Sequence, residues 1–199
     1  IMAATISKEG LEGYEPKNTL FFEFHGTEAG TREQAETVQG IAGELGGTEF
    51  KWASQLEERN KLWQARHNSH YVIQGLRPGG RVMATDVCVP ISRLAECILE
   101  SMRDLKESNL VGGIVGHVGD GNFHLGYCLD PNDPDEIQRA HDHNDRMVLR
   151  ALALDGTCTG EHGVGRGKIH FMEAEHGGAL DLMRAIKTAL DPDNIMNPG

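Results

Sequence analysis

Residues 114–127 alternate in a way that a strand pair satisfies, and no other stretch restricts the fold as much. A turn at Asp120-Gly121 divides them, a dipeptide suited to the two-residue hairpin turn whose central positions both take positive φ. Pairing outward from that turn sets Gly119 against Asn122, Val118 against Phe123 and His117 against His124. Ile114, Gly116 and Val118 then share a face with Phe123, Leu125 and Tyr127, while the two histidines share the other with Gly113 and Gly126. Directly opposed residues hold their Cβ atoms about 4.5–5.5 Å apart, close enough for both imidazoles to reach one metal ion. Two readings of the pair stand open here: a cross-strand contact, or half of a metal site.

The rest of the chain supplies helices to cover the core face. Residues 19–25, TLFFEFH, read as a strand, followed by an amphipathic helix through Ala35, Val38, Ala42 and Leu45 that stops at Gly46-Gly47. A short strand is expected near 48–52, a helix over about 56–74 and a strand over 82–89. Pro90 opens a helix with Ile91, Leu94, Ile98, Met102 and Leu105 on one side. Asp133-Pro134-Asp135-Glu136 combines a capping acid, proline at the first helical position and an acid at the third, and starts a helix that ends near Gly156. Two further helices follow a glycine-rich segment. Hairpin pairing favours an α+β fold, an antiparallel sheet with helices packed on one face in the manner of a ferredoxin-like cap, over a doubly wound parallel sheet. The expected division is an α+β domain over 1–155 and an active-site segment with C-terminal helices over 156–199.

Charge and cysteine usage narrow the function classes. A formal charge of −11 with scattered basic residues argues against nucleic acid as a partner. No apolar run approaches the roughly 18 residues of a membrane span, and residues 1–15 lack the basic start and apolar centre of a signal peptide. Cys88, Cys97, Cys128 and Cys158 form no CxxC pair, so neither a disulfide framework nor a thiolate zinc site is expected, and a reducing, cytoplasmic setting is the default. The chain opens on Ile1 and is expected to be one part of a longer protein.

Residues 156–168, GTCTGEHGVGRGK, place five glycines around Glu161 and His162. A P-loop needs a glycine five residues before Gly167-Lys168 and a hydroxyl after it, but His162 and Ile169 stand there. GxGxxG fails because Lys168 follows Gly163 and Gly165 at the third position, and HExxH is absent. Two histidines and a carboxylate remain, a set that suits a zinc, manganese or iron site with open coordination positions. Lys168 reads as a solvated cation or as an aid in positioning Glu161.

GHVGDGNFH, TCTGEHGVGRGK and the ending LDPDNIMNPG together resemble the C-terminal, substrate-binding part of FAD-dependent D-2-hydroxy-acid dehydrogenases of the vanillyl-alcohol-oxidase type. ATDVCVPISRL and LWQARHN point to the branch of cytochrome-type D-lactate dehydrogenases and glycolate oxidase subunits. The resemblance spans about residues 20–199 and implies metal ligands at His117, His124 and Glu161, and an active-site histidine at His162, beside the flavin. It implies a carboxylate-binding arginine at Arg66, with Arg77 and Arg81 as substitutes, and asparagines near the flavin at Asn122 and Asn197. Where related 2-hydroxyglutarate enzymes carry a lysine, this chain has Ala84, which favours a small monoacid such as D-lactate or glycolate. The flavin of such enzymes is held mainly by an N-terminal domain with glycine-rich loops, and the stretch before Leu20 is not expected to supply it. The reaction implied is oxidation of a D-2-hydroxy acid to the 2-oxo acid. Electrons would leave to a cytochrome, a quinone or an electron-transfer flavoprotein; a homodimer is compatible with this reading, as is a mitochondrial setting in a eukaryote. The rival class is a stand-alone metal- or small-acid-binding module without redox activity, and a metallohydrolase is the third.

Overall fold

The computed structural model describes residues 2–11 and 14–198, which divide into two compact units, 2–68 and 69–198. The first unit is helical. It holds α1 (Met2–Glu9), α2 (Glu28–Glu44) and α3 (Leu56–His67). The Thr27 hydroxyl accepts from the Gly30 N–H and so caps α2. Ala35 and Ala65 are buried, and the Asn68 amide donates to Glu9 at 2.9 Å. The strands expected at 19–25 and 48–52 do not form: both stretches lack secondary structure. Aromatic content favours a strand only where a ladder partner exists, and Leu20, Phe22 and Trp52 are instead exposed.

The second unit is built on an antiparallel sheet: β1 (Arg81–Ala84), β2 (Val87–Cys88), β3 (Gly112–His117) and β4 (Asn122–Leu129). β4 is central. β3 pairs along one of its edges and β1 and β2 follow one another along the other, Ala84 opposite Gly126 and Val87 opposite Phe123. The expected strand over 82–89 is therefore interrupted at Thr85-Asp86, where the Thr85 hydroxyl replaces a backbone carbonyl in accepting the Leu125 N–H at 2.8 Å. The helix expected over 56–74 likewise breaks at Asn68, and α4 (Ser69–Gln74) begins the second unit.

The hairpin forms with its faces as expected but its register displaced by two residues. His117 lies opposite Asn122, and Val115, not His117, lies opposite His124. A two-residue turn needs left-handed backbone at both central positions, yet only Gly121 adopts it, at φ 77°. The connection is instead a 3₁₀ turn over Val118–Asp120 closed by Gly121, and a Cβ on Gly121 would lie 2.0 Å from the Val89 carbonyl oxygen.

Phe123, Leu125 and Tyr127 face a core completed by α5 (Ile91–Glu107) and α6 (Pro134–Ala153), with α+β character as expected. Asp133 caps α6 by accepting from the N–H groups of Asp135 and Glu136. The buried stripe of α5 is Leu94, Cys97, Ser101 and Leu105, leaving Ile91 and Met102 exposed. Ser101 is buried with its hydroxyl accepting from Arg150 Nη1 at 3.1 Å; its carbonyl accepts from Nε2 of the buried His143 at 3.1 Å, while Nδ1 of that ring accepts from the Tyr127 hydroxyl at 2.7 Å. On the opposite sheet face, Ile73 of α4 covers Gly126, where a Cβ would approach its Cδ1 to 2.7 Å. α7 (Met172–His176) and α8 (Ala179–Leu190) end the unit, and residues after 155 are tied to the sheet by the antiparallel bridge of Thr157 to Cys88. All four cysteines are free thiols. Among the described residues no helix is long and apolar enough to cross a membrane.

Two predictions follow from this packing. Tyr127→Phe removes the proton that His143 Nδ1 accepts, and leaving that buried acceptor unpaired is expected to cost about 1–3 kcal/mol, read by denaturant unfolding. Glu136, buried, takes a two-pronged contact from Arg77 at 2.6 and 2.8 Å, and the guanidinium holds its carboxyl below the usual range. A carboxyl lowered by folding stabilises above its unfolded value of about 4.3 and loses that contribution as pH falls further. Glu136→Gln should therefore unfold at a lower temperature than the parent at pH 7, with the gap closing below about pH 4.

Candidate metal and active site

The sheet face opposite the core carries the chemistry. His124 stands in the middle of β4, its Nδ1 3.0 Å from the Thr85 carbonyl. A carbonyl can only accept, so Nδ1 donates to it and Nε2 faces outward. Nε2 lies 2.8 Å from Oε1 of Glu161. A neutral ring nitrogen and a carboxylate oxygen are both acceptors, so this approach requires a positive species, a proton or a metal ion, shared between them. The ring of His162 lies parallel to that of His124, centroids 4.7 Å apart and planes within 5°, and its Nε2 is 3.6 Å from the same Glu161 oxygen. One ligand atom from each of His124, Glu161 and His162 falls within 4.8 Å of the others. His124 is mostly enclosed, whereas Glu161 and His162 are about half exposed, so the site has a fixed inner end and an open mouth.

Beneath it lies Asp86, 1% exposed. Oδ2 accepts from the Thr159 hydroxyl, from the N–H groups of Gly160, Glu161 and His162, and from Lys168 Nζ, at 2.9–3.2 Å. Oδ1 accepts from the Asn122 amide at 2.8 Å. Burial pushes the Asp86 carboxyl upward, but the His162 N–H, the Asn122 amide, the Glu161 N–H and the Lys168 charge outweigh it and hold the group far below the usual carboxylate range. Lys168 also donates to the Asp86 carbonyl at 2.8 Å, so it is neither free in solvent nor bound to Glu161 directly. Gly160 can only be glycine: a Cβ there would lie 1.9 Å from Asn122 Nδ2.

The expected site residues fare differently. His124, Glu161 and His162 come together. His117 is exposed at the end of β3, on the sheet face of His124 but opposite Asn122, so the direct cross-strand pairing that first suggested a shared metal is not present. Asn122 is buried, its amide NH₂ spent on Asp86 and the Val87 carbonyl, and its Oδ1 is buried without a partner. Reversing that amide would set an oxygen against the Asp86 carboxylate, so the orientation is chemically required. Asn197 lies in the turn after α8 at φ 50°. Arg66 lies in the last turn of α3, in the first unit, and Arg77 is committed to Glu136. Asp86 was missed by sequence reasoning. Its signal is an acid set between Thr85 and Val87 in an otherwise apolar strand, in register with His124.

Residues 3–199 match the family described as FAD linked oxidases, C-terminal domain. The chain belongs to that family. Its relatives include a probable mitochondrial D-lactate dehydrogenase of Danio rerio, 50% identical over 94% of this chain and 38% of its own length. A mitochondrial D-lactate dehydrogenase (cytochrome) of Arabidopsis thaliana is 47% identical over 91% of this chain and 32% of its own length. The glycolate oxidase subunit GlcD of Escherichia coli K12 is 32% identical over 90% and 36% respectively. The chain thus spans about a third of the length of the curated relatives it matches.

Gly160→Ala is expected to destabilise the second unit by about 1–3 kcal/mol through overpacking. Gly167→Ala, at a position with nothing within 4 Å, is the control and should leave thermal unfolding unchanged.

Proposed function

We propose that this chain is the substrate- and metal-binding part of an FAD-linked dehydrogenase that oxidises a small D-2-hydroxy acid, of the D-lactate or glycolate type, to the 2-oxo acid. The observation that carries the reading is the His124–Glu161 contact with Nδ1 of His124 anchored on a backbone carbonyl, which leaves Nε2 and a carboxylate oxygen converging as ligands do. The names of the relatives support the substrate class. When bound, FAD supplies a hydride acceptor and a divalent zinc, manganese or iron ion supplies a Lewis acid for the substrate hydroxyl. His124 and Glu161 would hold the ion, and His117, on the same sheet face at the diagonal position, would be the third ligand that the family resemblance assigns. His162 Nε2, at the open mouth, takes the hydroxyl proton as general base. The family resemblance assigns Arg66, whose planar fork suits a carboxylate, to the substrate, and Asn122 and Asn197 to the flavin. Ala84, exposed on β1 opposite Gly126, leaves that end of the face without a cation for a second carboxylate.

Electrons leave to a cytochrome in this reading, as the name of the Arabidopsis relative suggests, with quinone or electron-transfer flavoprotein as the other acceptors. The mitochondrial relatives favour a mitochondrial location in a eukaryote. Membership of an FAD-linked oxidase family weighs against a module without redox activity.

Base and ligand roles separate experimentally. In the flavin-loaded full-length protein, His162→Ala is expected to keep its metal and lose about 10²- to 10⁴-fold in the rate of flavin reduction by D-lactate. His117→Ala should lose metal affinity by about tenfold or more. Metal loss in the His162 variant with retention in the His117 variant would assign His162 as the ligand and remove it as the base.

A further inference from the structure

Three consecutive backbone N–H groups aimed at one point make an anion-binding concavity, a feature that proteins commonly use for phosphate or carboxylate ligands. Residues 160–162 form such a concavity, with N···O distances of 2.9, 3.1 and 2.9 Å, and the anion is the protein's own Asp86. Thr159 Oγ1 at 3.0 Å and Lys168 Nζ at 3.2 Å complete the shell around the same oxygen. The glycine-rich segment therefore offers these amides to no external phosphate or carboxylate. What it offers instead is two side chains, Glu161 and His162, whose backbone positions are set by the carboxylate under them.

Asp86 reaches this place because the outer strand breaks. Thr85 and Asp86 fall between β1 and β2, and both serve the site: the Thr85 carbonyl fixes His124 Nδ1, the Thr85 hydroxyl holds Leu125 N–H, and Asp86 holds the loop. Asn122, two residues before His124 on β4, ties the same carboxylate back to the central strand. A single dipeptide thus sets the position of all three groups of the cluster relative to one another.

We propose that Asp86 is the positioning residue of this site, fixing the backbone of 159–162 so that Glu161 and His162 are presented to His124. Its effect on metal binding rests on the function proposed above; its effect on the loop does not. Two measurements on the full chain keep these apart. Amide hydrogen exchange compares the parent with Asp86→Asn: Gly160, Glu161 and His162 should exchange faster by about tenfold or more, the equivalent of at least one lost hydrogen bond, while α6 amides keep their protection. Unchanged protection at 160–162 overturns the proposal. Calorimetric titration with Zn²⁺ and Mn²⁺ then compares Asp86→Asn, Glu161→Gln and the double variant. If Asp86 acts through Glu161, the affinity lost in the double variant is far less than the product of the two single losses. Multiplicative losses, or parental affinity in Asp86→Asn, overturn the link to the metal. Failure of the parent chain to bind either ion refutes the metal reading, and the exchange experiment still decides the role of Asp86. Should Asp86→Asn not fold, Thr159→Val removes one donor to the same oxygen and is expected to raise exchange at 160–162 severalfold; no change there counts against the proposal.

Discussion

A carboxylate taken out of water must be met by donors on nearly every side, and Asp86 makes that requirement the organising constraint of the second unit. An unpaired buried charge costs several kcal/mol, so the chain can place Asp86 where it does only if residues 159–162 close over it. Closing over it brings in the backbone of the glycine-rich segment, the Lys168 ammonium and the Asn122 amide. Gly160 is glycine because the wrap is tight. Glu161 and His162, which meet His124, stand on the outer side of the segment that closes over this buried anion.

What the sequence makes legible follows from the range of each signal. The α6 cap is local, four residues long, and forms as read. The faces of the hairpin are also local, and they hold even though the register moved, because a slip of two residues preserves which side each side chain takes. The turn itself was less legible: Asp120-Gly121 carries the composition of a two-residue connection, yet the close approach of Val89 to Gly121 draws the chain into a longer one. The aromatic run at 19–25 shows the limit of propensity, since strand formation depends on a partner that composition does not reveal.

The candidate site divides the same way. Glu161 and His162 stand out because a charged pair among glycines is a short-range pattern, and His124 because of strand alternation. Their meeting is a long-range fact that resemblance to a known family anticipated and spacing alone did not. Asp86 lies more than seventy residues from the backbone amides it holds, so its neighbours mark it as an acid in an apolar strand without disclosing what it binds. Arg77 illustrates the converse. An exposed-looking arginine in a turn is a plausible carboxylate binder until the bidentate contact with Glu136 shows that it already has one.

β4 serves two masters by parity. Phe123, Leu125 and Tyr127 go to the core, and Asn122 and His124 go to the site, with strands paired along both edges and the Thr85 hydroxyl taking the Leu125 N–H where the outer strand breaks. Gaining or losing one residue anywhere in this strand would exchange the two sets, driving His124 into the hydrocarbon interior and lifting Leu125 into the mouth of the site. The strand can therefore change by substitution but not by length, and divergence in chain length within this fold must be taken up in the loops at its ends.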